Sequence, residues 1–267
     1  MAELKDLHLV AIGGFDPSGG AGIMRDGLTA QSLCSSFRLV GTAWAEQSPV
    51  HGVQAIDPRL PAEVFNAIRL ALAESPPGRT AVKVGMTANA GVLKSIVDAL
   101  DDFNGPVVFD PVLGATSGGS LFDTCGQSLP DAVAPLVARA WVLTPNTLEG
   151  ARLCQRDVTT VEDAQRCGEE LIRRGGHAVV VKGGHLVGSN VVDVLVRADQ
   201  PQAHHINTMR VPGPSVRGTG CSYASSLALY LAAGEPLVTA CTAAQAQVAK
   251  GIRHARLVGT QWHLHHE

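Results

Sequence analysis

Leu7-His8-Leu9-Val10-Ala11-Ile12-Gly13-Gly14 is a short apolar run closed by two glycines. Its length suits a strand, and apolar residues at both alternating sets of positions call for cover on both faces of a sheet. Phe15-Asp16-Pro17-Ser18-Gly19-Gly20-Ala21-Gly22 follows, too glycine-rich for regular structure, and a helix is expected from about Ala21 to Leu33. The same unit recurs. Further strands are expected at Arg38–Ala43, Ala81–Gly85, Pro106–Phe109, Ala140–Thr144 and His177–Lys182, and helices at Pro61–Ala73, Gly91–Leu100, Pro130–Arg139 and Glu162–Arg174. Glu46 to Gly52 reads as a loop. Two β-rich pieces, near Val191–Val196 and Gln202–Asn207, precede a last glycine stretch, and a final helix covers Pro236 to about His254. Strands alternating with helices predict an α/β fold with a mostly parallel central sheet and helices on both faces. No repeat, linker or low-complexity break appears, so one domain over residues 1–267 is expected.

The totals narrow the function. With 267 residues, 45% hydrophobic and 17% charged, the chain reads as globular. A net charge of -3 gives no basic footprint for nucleic acid. No apolar run approaches the ~20 residues of a membrane helix, and the N-terminus does not resemble a signal peptide. Six scattered cysteines without a Cys-x-x-Cys pair point to reduced thiols and a cytoplasmic setting.

Ligands of open parallel sheets bind beyond the carboxyl ends of the strands. Asp16, Gln47, Asp110, Asn146 and Lys182 each follow an expected strand, so they converge on one cleft. Val216-Arg217-Gly218-Thr219-Gly220-Cys221-Ser222 leads into the buried-helix pattern Tyr223–Leu231. Unpartnered amides and the dipole at such a helix start make an anion hole suited to phosphate. Cys221 falls in the first turn, where the same field favours a thiolate.

There is no P-loop, no dinucleotide fingerprint after the first strand and no Gly-x-Ser-x-Gly elbow. Phosphoryl transfer fits what remains, because it needs positioning and charge neutralisation. Lys182 can balance phosphate charge, and Asn146, Glu149 and Asp110 can organise magnesium and its waters. Each residue also has a plainer reading. Asn-x-x-Glu can cap a helix, Lys182 can mark a strand's exit to solvent, and Asp110 before Pro111 can be turn chemistry. Gln47 can be a loop amide and Met86 a core residue. His263, His265 and His266 match no zinc pattern and are expected in solvent.

Six motifs then occur in order: Gly13-Gly14-Phe15-Asp16-Pro17-Ser18-Gly19-Gly20-Ala21-Gly22-Ile23; Lys83-Val84-Gly85-Met86; Asp110-Pro111-Val112 with Ala115-Thr116-Ser117-Gly118; Thr144-Pro145-Asn146 with Glu149; Val181-Lys182-Gly183-Gly184-His185; and Gly218-Thr219-Gly220-Cys221. Together they resemble the hydroxymethylpyrimidine/phosphomethylpyrimidine kinases of thiamine biosynthesis, of the ribokinase-like superfamily. The resemblance implies a three-layer α/β/α sandwich and an ATP- and magnesium-dependent kinase. Its substrates would be 4-amino-5-hydroxymethyl-2-methylpyrimidine and then the monophosphate. Most ribokinase relatives carry an aspartate base after Gly-x-Gly; this family carries cysteine, which Cys221 matches, with Gly218, Thr219 and Gly220 around it. The family's substrate contacts fall on Gly14, Asp26, Gln47, Met86 and Val112. Its nucleotide contacts fall on Asp110, Asn146, Lys182 and Thr219, and its magnesium site on Glu149 and Asp110, through water. A homodimer is also implied.

The departures bear on substrate choice. Met24-Arg25-Asp26-Gly27-Leu28-Thr29 stands where many members have Gln-Ala-Asp-Leu-Lys-Thr. Arg217 replaces a usual histidine, Ser222 a usual threonine and Gly119 a usual acidic residue, and the loop after Gln47 is one residue longer. Arg217 either holds a phosphate already on the substrate or faces solvent. Two other functions stay open: pyridoxal kinase chemistry, and a non-catalytic pyrimidine-binding module.

Overall fold

The computed structural model describes residues 4–48, 52–114 and 119–266, with residues 46–48 and 52–54 described by backbone alone. In chain order the elements are β1 (His8–Phe15), α1 (Gly22–Ser32), β2 (Ser36–Ser48), β3 (Gly52–Pro58), α2 (Pro61–Ala73), β4 (Thr80–Val84), β5 (Ala88–Asn89), α3 (Ala90–Ala99), β6 (Val107–Phe109), β7 (Phe122–Asp123), α4 (Leu129–Arg139) and β8 (Val142–Leu143). There follow α5 (Thr147–Cys154), α6 (Val161–Arg173), β9 (Ala178–Val181), β10 (Asn190–Arg197), β11 (Gln200–Met209), β12 (Val216–Arg217), α7 (Thr219–Ala232), α8 (Leu237–Arg253), β13 (Arg256–Val258) and β14 (Gln261–His263).

Nine strands form one sheet in the order β11-β10-β9-β8-β6-β4-β1-β2-β3. The run from β9 to β2 is parallel, and antiparallel strands close both ends, β10 and β11 on one side and β3 on the other. The period-two rule sorts the core. Val10, Ile12, Val82, Val84, Val107, Phe109, Leu143, Val179 and Val181 face one layer, with Val64, Ile68, Val92, Ile96, Leu136 and Leu171 of the helices. Their neighbours Leu9, Ala11, Ala81, Val108, Val142 and Val180 face the other, against Ala30, Leu227, Ala228 and Ala244. This is the expected three-layer α/β/α, ribokinase-like sandwich. Helix α7 lies inside its layer, buried from Cys221 to Tyr230, which explains why its sequence is apolar or small nearly all round. Among the described residues no helix is long and apolar enough to cross a membrane.

Two expectations fail. The loop expected from Glu46 to Gly52 begins as strand: β2 continues through Gln47 to Ser48 and pairs antiparallel with β3, Gln47 opposite Val53, after a register shift, and Pro49 to His51 lie outside the described residues. The C-terminal histidines are not a solvent tail: β14 pairs with β12, His263 opposite Arg217, and His263 is buried.

Candidate active site

The carboxyl ends of β1, β4, β6, β8 and β9 deliver the polar residues as the topology requires. Asp110 follows β6 and is buried; its Oδ1 accepts from Lys182 Nζ at 2.6 Å and from Thr144 Oγ1 at 3.2 Å. Lys182 follows β9, bridged in parallel fashion to Asn146 after β8. Burial opposes its charge, but Asp110 and Glu149 outweigh burial and hold the ammonium above the ordinary lysine range.

Asn146 and Glu149 form a reciprocal capping box on α5, Glu149 N donating to Asn146 Oδ1 at 2.9 Å and Asn146 N to Glu149 Oε2 at 2.8 Å. The plainer reading of this motif therefore holds. The box also fixes the Glu149 carboxyl beside Lys182, where burial pushes it up to about 7.

The glycine turn faces this pair. Gly218 caps α7 in the left-handed region (φ 85°), and a Cβ there would stand 2.5 Å from Gly20 O. No side chain caps α7, so its first amides keep their donors. A Cβ on Gly220 would lie 3.3 Å from Lys182 Nζ and 3.8 Å from Asp110 Oδ2. Gly220 thus brings the glycine turn directly against the lysine–aspartate pair.

Cys221 completes the turn. The backbone of Gly22, first residue of α1, lies beside it and weakly opposes the rise in its pKa. Gly22 has φ 61°, and a Cβ there would meet Gly14 O at 2.2 Å, so only glycine brings α1 this close. The expected thiolate is overturned. Burial raises the thiol to about 11, with Lys83 opposing the rise, so burial outweighs the favourable field of the helix start.

Asp26 lies on α1, fully buried, with both oxygens engaged: Lys83 Nζ at 2.9 Å from Oδ2, and Ser225 Oγ at 2.9 Å from Oδ1. Ser225 is one turn beyond Cys221 on α7. Met86 packs on Gly14, its Sδ 2.7 Å from where a Cβ would be, and joins Ala43, Ala88 and Leu121 in a small apolar cluster against which Val112 packs. The Gln47 side chain and the Ala115–Gly118 motif lie outside the described residues.

Arg217 does not face solvent. Its Nη2 meets Asp16 Oδ2 at 3.0 Å, and its Nη1 meets Gln261 Oε1 at 2.8 Å. His263 borders the same place, since a Cβ on Gly20 would lie 2.9 Å from its ring and 3.2 Å from Arg217 Nε. His266 reaches Ser222 Oγ on α7 at 2.9 Å.

Sequence reasoning gave no role to Lys83, Arg25 or the histidine strap. Lys83 carried a signal, being a lysine within an apolar strand, which is buried only when paired. Arg25 carried another, a cation in the first turn of a helix, against the dipole; its Nη2 donates to Gly19 O at 2.9 Å.

A phosphate-suited helix start set against a lysine–aspartate pair, at the carboxyl ends of a parallel sheet, defines a phosphotransferase of ribokinase-like fold. Bacillus subtilis pyridoxal kinase, solved as an ADP complex, shares that fold at a TM-score of 0.84 and 23% identity, over 98% of both chains. The phosphomethylpyrimidine kinase family profile matches residues 16–266, and the chain belongs to that family. The hydroxymethylpyrimidine/phosphomethylpyrimidine kinase of Rhizobium meliloti is 35% identical over 251 residues, 92% of this chain and 90% of that one. The thiamine biosynthesis bifunctional protein of Geobacter sulfurreducens is 32% identical over 94% of this chain, which spans half the length of that relative.

Proposed function

We propose that the protein transfers the terminal phosphoryl group of ATP to the hydroxymethyl group of 4-amino-5-hydroxymethyl-2-methylpyrimidine, and then a second to the monophosphate, for thiamine biosynthesis. The observation that carries this reading is the approach of Gly220 to Lys182 and Asp110, with Cys221 next in the chain. The α7 amides and Thr219 receive the transferred group, and Lys182 with Asn146 holds the nucleotide phosphates. Cys221 takes the proton of the substrate hydroxyl in its thiolate form, which Lys83 favours against burial. Gly14, Met86 and Val112 supply the apolar wall for the pyrimidine, and Gln47 an amide for its edge. Asp26, with both oxygens engaged, acts from beneath as the partner of Lys83.

Magnesium fits the donor set, because Asp110 and Glu149 offer hard carboxylate oxygens beside Lys182. When bound, it would neutralise phosphate charge. The same reading carries a cytoplasmic homodimer; the one kinase domain over residues 1–267 that it also carries accords with the nine-stranded sheet, which gathers strands from residue 8 to residue 209.

Phosphorus NMR of products formed from ATP, magnesium and the hydroxymethylpyrimidine tests the proposal. Monophosphate followed by diphosphate is expected; ADP formation independent of the pyrimidine would overturn it. The pyridoxal kinase fold neighbour makes pyridoxal the second substrate to measure beside it, with the pyrimidine expected to be faster.

A further inference from the structure

Two buried thiols lie outside this chemistry. Cys154 ends α5 and Cys167 sits within α6, and their sulfurs are 3.0 Å apart while both cysteines are free. The approach is built into the helix packing. Gly150, one turn before Cys154, faces Cys167, and a Cβ there would stand 2.9 Å from its sulfur. Cys167 is fully enclosed, whereas Cys154 keeps 7% exposure and so offers an oxidant one point of attack.

We propose that Cys154 and Cys167 form a reversible disulfide that ties α5 to α6 and changes nucleotide binding at the other end of α5. The oxidant is a peroxide. The Cys154 thiolate attacks one peroxide oxygen, the O–O bond breaks and hydroxide leaves, giving a sulfenic acid at Cys154. The sulfur of Cys167 then attacks the Cys154 sulfur, the S–O bond breaks, water leaves and the S–S bond forms. In sum, two thiols and one hydrogen peroxide give one disulfide and two waters. Cys154 suits the first step, because its contact with the Cys167 sulfur draws its thiol below the ordinary cysteine range against burial and Glu170, with Arg156 and Arg174 adding to the fall.

The consequence follows from the helix between the two ends. A disulfide is about 2.05 Å long, so the sulfurs must close by about 1 Å. Helix α5 has eight residues, and its first turn carries the Asn146–Glu149 box. A helix this short moves as a unit, so a pull at Cys154 reaches Asn146. This second half rests on the kinase reading; the bond itself does not.

The test keeps the two apart. The wild-type protein is treated with stoichiometric hydrogen peroxide, digested without reduction and mapped by mass spectrometry. A peptide pair joined through Cys154 and Cys167 is expected, with an intact-mass loss of about two units that dithiothreitol reverses. In a Cys34→Ser/Cys125→Ser background, which removes the exposed thiols and leaves four of the six, the thiol count should fall from four to two. Cys167→Ser should abolish the cross-link and leave Cys154 to oxidise further to the sulfinic acid. Absence of the joined pair, or cross-linking through Cys221 or Cys241 instead, would overturn the proposal. For the second half, oxidised protein should show a several-fold change in KM for ATP and an unchanged KM for the pyrimidine. An unchanged KM for ATP would sever the link to the nucleotide end while leaving the bond established.

Discussion

Arg217 and Asp16 stand 201 residues apart in the chain and 3.0 Å apart in space, Nη2 to Oδ2. Asp16 leaves the end of β1, and Arg217 opens the turn into α7. Their pair clamps the turn before Gly22 against the turn at Gly218, where a Cβ on Gly218 would stand 2.5 Å from Gly20 O. Arg217 is thereby a positioning residue whose charge is largely spent on a buried carboxylate.

Breaking that clamp should harm turnover more than binding. We expect Arg217→Ala and Asp16→Ala each to lower kcat by roughly 10- to 100-fold, the range produced by misplacement of about 1 Å. A double-mutant cycle should give a coupling of about 0.5–3 kcal/mol. Additive losses in kcat would mean that the two side chains act independently.

The Lys182–Asp110 pair predicts a split between stability and activity. Lys182→Met should reduce kcat/KM for ATP by about 10²–10³-fold, and leaving Asp110 buried without its partner should cost about 3–5 kcal/mol. Lys182→Met/Asp110→Leu should regain most of the stability in urea denaturation and none of the activity. A double variant as unstable as the single one would contradict the pairing.

Cys221 predicts a difference between the two phosphorylations. The first acceptor is an alcohol that must lose a proton, and the second a phosphate that needs little deprotonation. Cys221→Ala should slow the first step by about 10²–10⁴-fold and the second far less; equal losses would remove the base role. Because burial raises the thiol to about 11, alkylation of Cys221 by iodoacetamide should climb about tenfold per pH unit up to that value. A plateau near the ordinary cysteine pKa would show the thiol to be better solvated than its burial implies.

His266 predicts an acid-sensitive strap. Burial holds its imidazole down at about 4, helped by Arg25, His265 and Lys250, and its Nε2 meets Ser222. A depressed pKa gives stability that is present above the ordinary histidine value, about 6.5, and is lost as pH falls through about 4. With its partial exposure discounted, the loss over that window should be about 1–2 kcal/mol. Urea midpoints measured across it should decline more steeply for the wild type than for His266→Gln; equal slopes would exclude His266 as the source.

The parts of this fold that were legible in the sequence are those whose signal is local. Val10 and Ile12 against Leu9 and Ala11 show a strand covered twice, and Gly218 to Tyr230 shows a glycine turn entering a buried helix. Gln47 was misread because the end of β2, beyond its partner β1, pairs only with the edge strand β3 and needs no apolar alternation, and Glu46-Gln47-Ser48-Pro49 looks like a turn. His263 was misread because nothing near Trp262 reveals that its strand will pair with Val216–Arg217. The state of Cys221 was misjudged for a different reason. A helix start is visible in sequence, whereas desolvation depends on α1 and β4, which arrive from elsewhere in the chain.

The ties that close the cleft join widely separated residues: 201 positions for Arg217 to Asp16, 199 for Ser225 to Asp26 and 72 for Lys182 to Asp110. During synthesis the N-terminal turn therefore waits for nearly the whole polypeptide to leave the ribosome before its counterpart arrives. Until then Asp26 and Lys83 have neighbours missing on one side, so a nascent chain halted before α7 is an incomplete catalyst with charges in want of cover. The enzyme acquires its competence in one late event, and truncated products of interrupted translation would be substrates for quality control rather than partial kinases.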